Sequence, residues 1–237
     1  MAGHSKWKNI KHKKAAVDAL KAKKFAKLLK EITVSAKIGG GDLNTNPNLR
    51  TLINKANEIN MPKDNYIRAI KKGTGEISGG SYETHWYEGY GPNGIAVIVE
   101  VLSDNKNRAA NEIRTAFSHN GGLIGENGCV SWMFEKKGLI TAKKESSTED
   151  YLFEILMETD FSDIKIEDDE IYVTCSIDSM NEVKNVLIKN DFKIDEAVIG
   201  YVPKTKIELT EEQEEKVFEF LNFLENLEDT QNVFSNI

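Results

Sequence analysis

The 237-residue sequence predicts an α+β chain: an N-terminal basic three-helix domain followed by two α/β domains, the last of them inserted into a discontinuous middle domain. Three observations predict this layout. Residues 1–73 hold 17 Lys and Arg against 5 Asp and Glu, whereas residues 74–237 hold 14 against 33, so charge reverses sign near Gly73 in a chain of net charge -7. Apolar residues recur at helical spacing before that point and mark alternating strands and helices after it. Finally, residues 138–204 run β-α-β-β-α-β, the split βαβ order of a ferredoxin-like domain.

The elements follow in order. Val17, Leu20, Leu28, Ile32 and Ala36, widened by Phe25 and Leu29, predict one long helix from about Lys13 to Ile38. Gly39-Gly40-Gly41 ends it, because glycine tolerates the left-handed conformation at a helix C-terminus. Asn46-Pro47 and Met61-Pro62 place prolines where two further helices begin. Glycine and small polar residues at 74–81 read as a linker, which closes the first domain at residue 73.

Beyond the linker, THWYEGY and GIAVIVEVL predict two strands joined by a turn at Gly91-Pro92-Asn93-Gly94. A helix follows over NKNRAANEIRTAFSHN, then a strand at VSWMFEKKG and a separate one at LITAK. After Pro203 comes a helix whose Thr210 and Gln213 fit a capping box, then a last strand at TQNVFSN. The middle segment lacks a closing helix and strand, and the tail carries one of each. The domains are therefore 1–73, then 82–137 joined with 205–237, with 138–204 inserted.

Several function classes lose support at once. The lysines of the N-terminus are followed by no apolar stretch of a signal peptide, and IAVIVEVL at 95–102 is far short of a membrane span. The expectation is a soluble, cytoplasmic chain that contacts no membrane. Cys129 and Cys175 offer neither CxxC spacing nor a disulfide framework, and are expected to be buried and reduced. EDDE at 167–170 lacks the glycine and terminal Glu of a calcium loop, and His85 and His119 have no visible nucleophile partner. The sequence predicts no enzyme, no catalytic residue, no metal and no cofactor.

The basic residues carry the functional signal. In the opening arm Lys6, Lys8, Lys11, Lys13 and Lys14 accompany Trp7 and His12: lysines neutralise phosphates and release counterions, and an indole among cations stacks on an exposed base. On the long helix Lys23, Lys27, Lys30 and Lys37 fall within an arc of about 80° away from the apolar arc. Lys63, Arg68, Lys71 and Lys72 extend the basic surface on the third helix. A candidate anion site combines Asn105, Asn107 and Arg108 at a helix start, where Asp104 suits the cap. The blander readings are a solvated arm, a wet helix face and simple capping.

Five motifs resemble the YebC family of bacterial and mitochondrial gene-expression regulators: AGHSKWKNIKHKKAAVDA, EITVSAKIGGGDLNTNPNLR, NMPKDNYIRAIKKGTGE, YEGYGPNGIAVIVEVLSDNKNR and LENLEDTQNVFSN. They run in family order over nearly the whole chain. The resemblance implies a helical domain followed by two α/β domains, the third inserted in the second. It also implies a DNA-binding transcriptional regulator. The family includes a mitochondrial translational activator of cytochrome c oxidase subunit I, and similar bacterial proteins act at the ribosome on synthesis through proline runs. Two departures stand out: Glu228-Asp229-Thr230-Gln231 replaces the usual Asp-Asp-Val-Gln, and His85-Trp86 precedes YEGYGP.

Together these readings give a non-enzymatic nucleic-acid-binding regulator, with DNA or ribosomal RNA as partner. The alternatives are a ribosome-associated translation factor and a small-ligand sensor built on the ferredoxin-like domain. Oligomeric state has no signal in the sequence.

Overall fold

The computed structural model describes residues 14–144, 147–167 and 170–237, with side chains from residue 22 onward. It divides into two compact units. The first comprises the described residues up to Val130 together with Glu208–Val233; the second comprises Ser131–Ile207 with Phe234–Ile237.

The first unit opens with α1 (Lys14–Gly39), α2 (Pro47–Glu58) and α3 (Lys63–Gly73). Pro47 sits in the first turn of α2, and Asn46 caps that helix by accepting from the Leu49 amide at 3.0 Å. Leu28, Ile32 and Ala36 of α1 bury against Leu49 and Ile53 of α2 and Ala69 of α3. Close approach of α1 and α3 depends on Gly73, where an added Cβ would lie 2.3 Å from the Thr33 carbonyl oxygen. The three-helix prediction stands.

A four-stranded sheet of order β3-β1-β2-β8 completes this unit, formed by β1 (Glu83–Tyr90), β2 (Ala96–Ser103), β3 (Leu123–Ile124) and β8 (Thr230–Ser235). β1 and β2 pair antiparallel from Glu83↔Ser103 to Tyr90↔Ala96. Between them Asn93 and Gly94 take positive φ, the expected turn. Helices α4 (Lys106–His119) and α7 (Glu211–Glu225) meet through Phe117 and Phe220, edge to face at 5.1 Å. The capping box of α7 forms as the sequence predicts, Thr210 and Gln213 each bonding the other's backbone. The cap of α4 is Asn105 and not Asp104.

The second unit is built on β4 (Phe134–Lys143), α5 (Glu149–Leu156), β5 (Phe161–Glu167), β6 (Glu170–Cys175), α6 (Met180–Lys189) and β7 (Lys193–Pro203). Its sheet has the order β5-β6-β4-β7, every pair antiparallel, which is the ferredoxin-like arrangement. Leu152 and Leu156 of α5 and Val183 and Leu187 of α6 pack with Ile140 and Val173 of the sheet. One element differs from expectation: the strands read separately at VSWMFEKKG and LITAK are the single strand β4. Gly138 looks like a break, yet it sits inside the strand because a Cβ there would come within 2.8 Å of Cys175 Sγ and 3.1 Å of Met180. Consequently this unit begins at Ser131.

Candidate nucleic-acid interface

Lys6, Trp7, Lys8, Lys11, His12 and Lys13 lie outside the described residues, and Lys14 is the first residue of α1. The structure therefore speaks to the remaining basic positions.

The lysine row of α1 is placed against the chain's own C-terminal segment. Lys23 Nζ donates to Asn226 Oδ1 at 2.8 Å, and Lys27 Nζ to the Gln231 carbonyl at 3.0 Å. Lys30 is buried: its Nζ donates to Asp229 Oδ1 at 2.5 Å and to the Glu228 carbonyl at 3.1 Å, and lies 5.8 Å from the Tyr82 ring centroid. Lys37 is exposed and bonds Ser81 Oγ. So α1 is covered on two sides. Its apolar residues meet α2 and α3, and Lys23, Lys27 and Lys30 meet residues 226–231. Burial of Lys23, reinforced by the neighbouring charge of Lys27 and opposed by Glu225, lowers its pKa from 10.5 to about 8.

The candidate anion site resolves in a related way. Asn105 Oδ1 accepts from the Arg108 amide at 3.0 Å, while Arg108 Nη2 lies 2.8 Å from Asp229 Oδ2 and 3.2 Å from Asp104 Oδ1. Ser103 Oγ donates to Asp229 Oδ2 at 2.7 Å. The anion at this helix start is the carboxylate of Asp229. Asn107 is exposed in the first turn of α4 and takes no part in that cluster. Burial pushes the Asp229 carboxyl up, but hydrogen bonds from Lys30, Arg108 and Ser103 outweigh it, and the carboxyl titrates below its ordinary value.

Sequence reasoning singled out the cations of this cluster and missed its acid. Asp229 sits 199 positions from Lys30 and 121 from Arg108, and no local pattern reports such a pairing. The available signal was an acid within LENLEDTQNVFSN, between a helix end and a strand.

On α3, Lys63, Arg68 and Lys71 are exposed. Arg68 and Lys71 stand three residues apart and share one helix face. Lys72 is half-buried, its Nζ 4.8 Å from the Tyr82 ring centroid and 3.4 Å from the Tyr82 hydroxyl. Lys63, Arg68 and Lys71 of α3 are thus outward cations of the described helical module, as are Lys24 and Lys37 of α1 and Arg50 of α2, while Lys23, Lys27 and Lys30 are drawn towards residues 226–231. Lys71 and Lys72 also occupy the last turn, where the helix dipole favours positive charge.

Among the described residues, no group of three or more His, Cys, Asp or Glu side chains is placed to hold a metal ion, and no helix is long and apolar enough to cross a membrane. Cys175 is buried as expected, Cys129 only half-buried; neither is in a disulfide, and burial raises both thiols.

Residues 5–76 match the domain family described as TACO1/YebC protein N-terminal domain, and residues 82–237 match TACO1/YebC second and third domain. A probable transcriptional regulatory protein of Desulfosudis oleivorans is 48% identical over 236 residues, covering 100% of this chain and 96% of its own length. One of the same description from Geotalea uraniireducens is 49% identical over 236 residues, covering 100% and 95%. The crystal structure of a conserved hypothetical protein from Aquifex aeolicus superposes with a TM-score of 0.86 at 41% identity, covering 96% of this chain and 94% of that one.

Proposed function

Because the chain belongs to the TACO1/YebC family, we propose that it is a non-enzymatic regulator of gene expression that docks on nucleic acid through its Lys-rich N-terminal domain. The observation that carries this reading is charge segregation. Seventeen basic residues against five acidic ones fall within residues 1–73 of a chain that is acidic as a whole. Neutralising phosphates is the chemistry that such a module performs best. Only Arg50 and Arg68 of the seventeen are arginines, so bidentate reading of guanine has few candidates and backbone contact dominates.

The docking surface comprises the arm from Lys6 to Lys14 together with Lys63, Arg68 and Lys71. Lys30 is withdrawn from it, because its ammonium is buried on Asp229. Lys23 and Lys27 contribute less than the arm, since each is half-buried and already donates to the protein, whereas Lys37 is exposed. The relatives described as transcriptional regulators support duplex DNA as the partner. Trp7 in the arm supports the second reading, an RNA with unpaired bases such as ribosomal RNA.

Reversing Lys11, Lys13 and Lys14 to Glu together tests the proposal. Affinity for duplex and single strand should fall, and the slope of log affinity against log salt should flatten by roughly 2 to 3, since each lost phosphate contact removes about 0.7 to 0.9. Unchanged affinity and slope on every nucleic acid tried, ribosomal particles included, would overturn it.

A further inference from the structure

The second unit exposes two of its described large aromatics, Phe153 and, more fully, Trp132. Trp132 lies in the short 3-10 turn at 131–133 that leads into β4, and 65% of it is exposed. A single exposed aromatic is ordinary by itself, so what matters is which groups stand beside it.

Its neighbours are cationic. The Lys204 amide donates to the Met133 carbonyl at 2.9 Å, and Lys204 Nζ donates to the Trp132 carbonyl at 2.9 Å, which fixes the end of β7 beside the turn. Register pairs Phe134 with Pro203 and Lys136 with Tyr201, and Lys136 Nζ stands 5.3 Å from the Tyr201 ring centroid. Lys206 follows two residues after Lys204. The nearby acid in sequence, Glu135, lies 3.7 Å from Lys137 Nζ, which offsets its charge.

This grouping runs against its background. Residues 131–207 hold 17 Asp and Glu and only 10 Lys and Arg, yet Lys136, at the start of β4, and Lys204, just past the end of β7, both stand beside this turn. Alternating a stacking surface with ammonium groups is the arrangement that holds a single strand without reading its sequence. We infer that Trp132, Lys136 and Lys204 form a second nucleic-acid contact, in which the indole stacks on an unpaired base and the lysines hold the flanking phosphates. This inference rests on the nucleic-acid-binding reading above and adds to it a site on the acidic part of the chain.

The test uses the full chain, an oligouridine single strand and a matched duplex at fixed salt, with affinity read by fluorescence anisotropy. Trp132→Ala should weaken single-strand binding roughly 5- to 100-fold and leave the duplex unaffected, because paired bases offer no free face. Trp132→Phe should restore most of the loss. Lys136→Glu with Lys204→Glu should weaken both ligands and flatten the salt slope by about 1 to 2. Single-strand affinity that ignores Trp132→Ala, while reversal of Lys11, Lys13 and Lys14 still weakens it, overturns the site and leaves the proposed function standing. The opposite pattern supports the site and removes the arm as anchor. A lowered melting temperature with unchanged affinity would make Trp132 a packing residue, or the seat of a protein partner, and also overturns the site.

Discussion

Lys30 and Asp229, 199 positions apart, form a buried ion pair with Nζ 2.5 Å from Oδ1 and side chains only 9% and 4% exposed. Arg108 and Ser103 donate to the other carboxylate oxygen. One acid thus joins the first helix, the end of β2 and the start of α4 to the C-terminal segment. Replacing Asp229 by Ala strands the buried ammonium of Lys30, and removing one partner of a buried pair typically costs about 3–5 kcal/mol. Lys30→Met should cost less, since Asp229 keeps Arg108 and Ser103. Urea unfolding of the two variants checks the order, and an Asp229→Ala midpoint equal to that of the wild type would contradict it.

The same carboxyl predicts a pH dependence. Its folded pKa lies below its ordinary value, so the native state binds the proton less readily than the unfolded chain does. The stabilisation is therefore present above the unfolded value of about 3.9 and is lost as pH falls through the folded one. The difference in unfolding free energy between wild type and Asp229→Asn should be widest near neutrality and shrink below about pH 4. A constant gap from neutrality to pH 3 would count against it.

Why the helices were legible and this cluster was not has a physical basis. Helical period, prolines at Pro47 and Pro62 and the Thr210–Gln213 box are local, and the structure places α1, α2, α3 and α7 where those signals fall. The β-α-β-β-α-β order was equally local. Gly138 misled because glycine marks both a break and a close approach, and Cys175 makes it the latter. The two-residue strand β3 was too short to carry alternation. As for the lysines of α1, spacing shows which residues share a face but not what covers that face. Asn226, Asp229 and Gln231 come 199 to 204 residues later, so an inward row and a solvent row look identical in sequence.

Lys23 offers a direct check on that inward row. Burial first, and then the charge of Lys27, lower its pKa to about 8, with Glu225 acting in opposition. An ammonium penalised in the folded state destabilises it fully below about pH 8, and the penalty is relieved as pH rises from there towards the unfolded value of about 10.4. Competitive acylation should find Lys23 half-reactive near pH 8, and the stability of wild type relative to Lys23→Gln should rise between pH 8 and 10. Half-reactivity at lysine's ordinary value would place this amine in open solvent.

Gly73 tests the packing that sets α3 on α1. A Cβ there would meet the Thr33 carbonyl oxygen at 2.3 Å and Ala36 Cβ at 2.8 Å; one neighbour is backbone and the other is a short buried side chain, so neither can swing away. Gly73→Ala should therefore destabilise by about 1–3 kcal/mol through overpacking, exceeding the gain of at most about 1 kcal/mol from alanine's helix propensity. Gly75→Ala separates space from backbone. That residue has φ of 81° with nothing within 4 Å of the added Cβ, so its cost comes from the left-handed conformation alone, about 1–2 kcal/mol. The two variants should also differ in kind. Gly73→Ala shifts α3 against α1 and changes the exposure of Arg68 and Lys71, so it should perturb nucleic-acid affinity in the still-folded protein, whereas Gly75→Ala should leave that affinity alone. Equal melting temperatures for Gly73→Ala and wild type would show that α1 and α3 are not held at this contact.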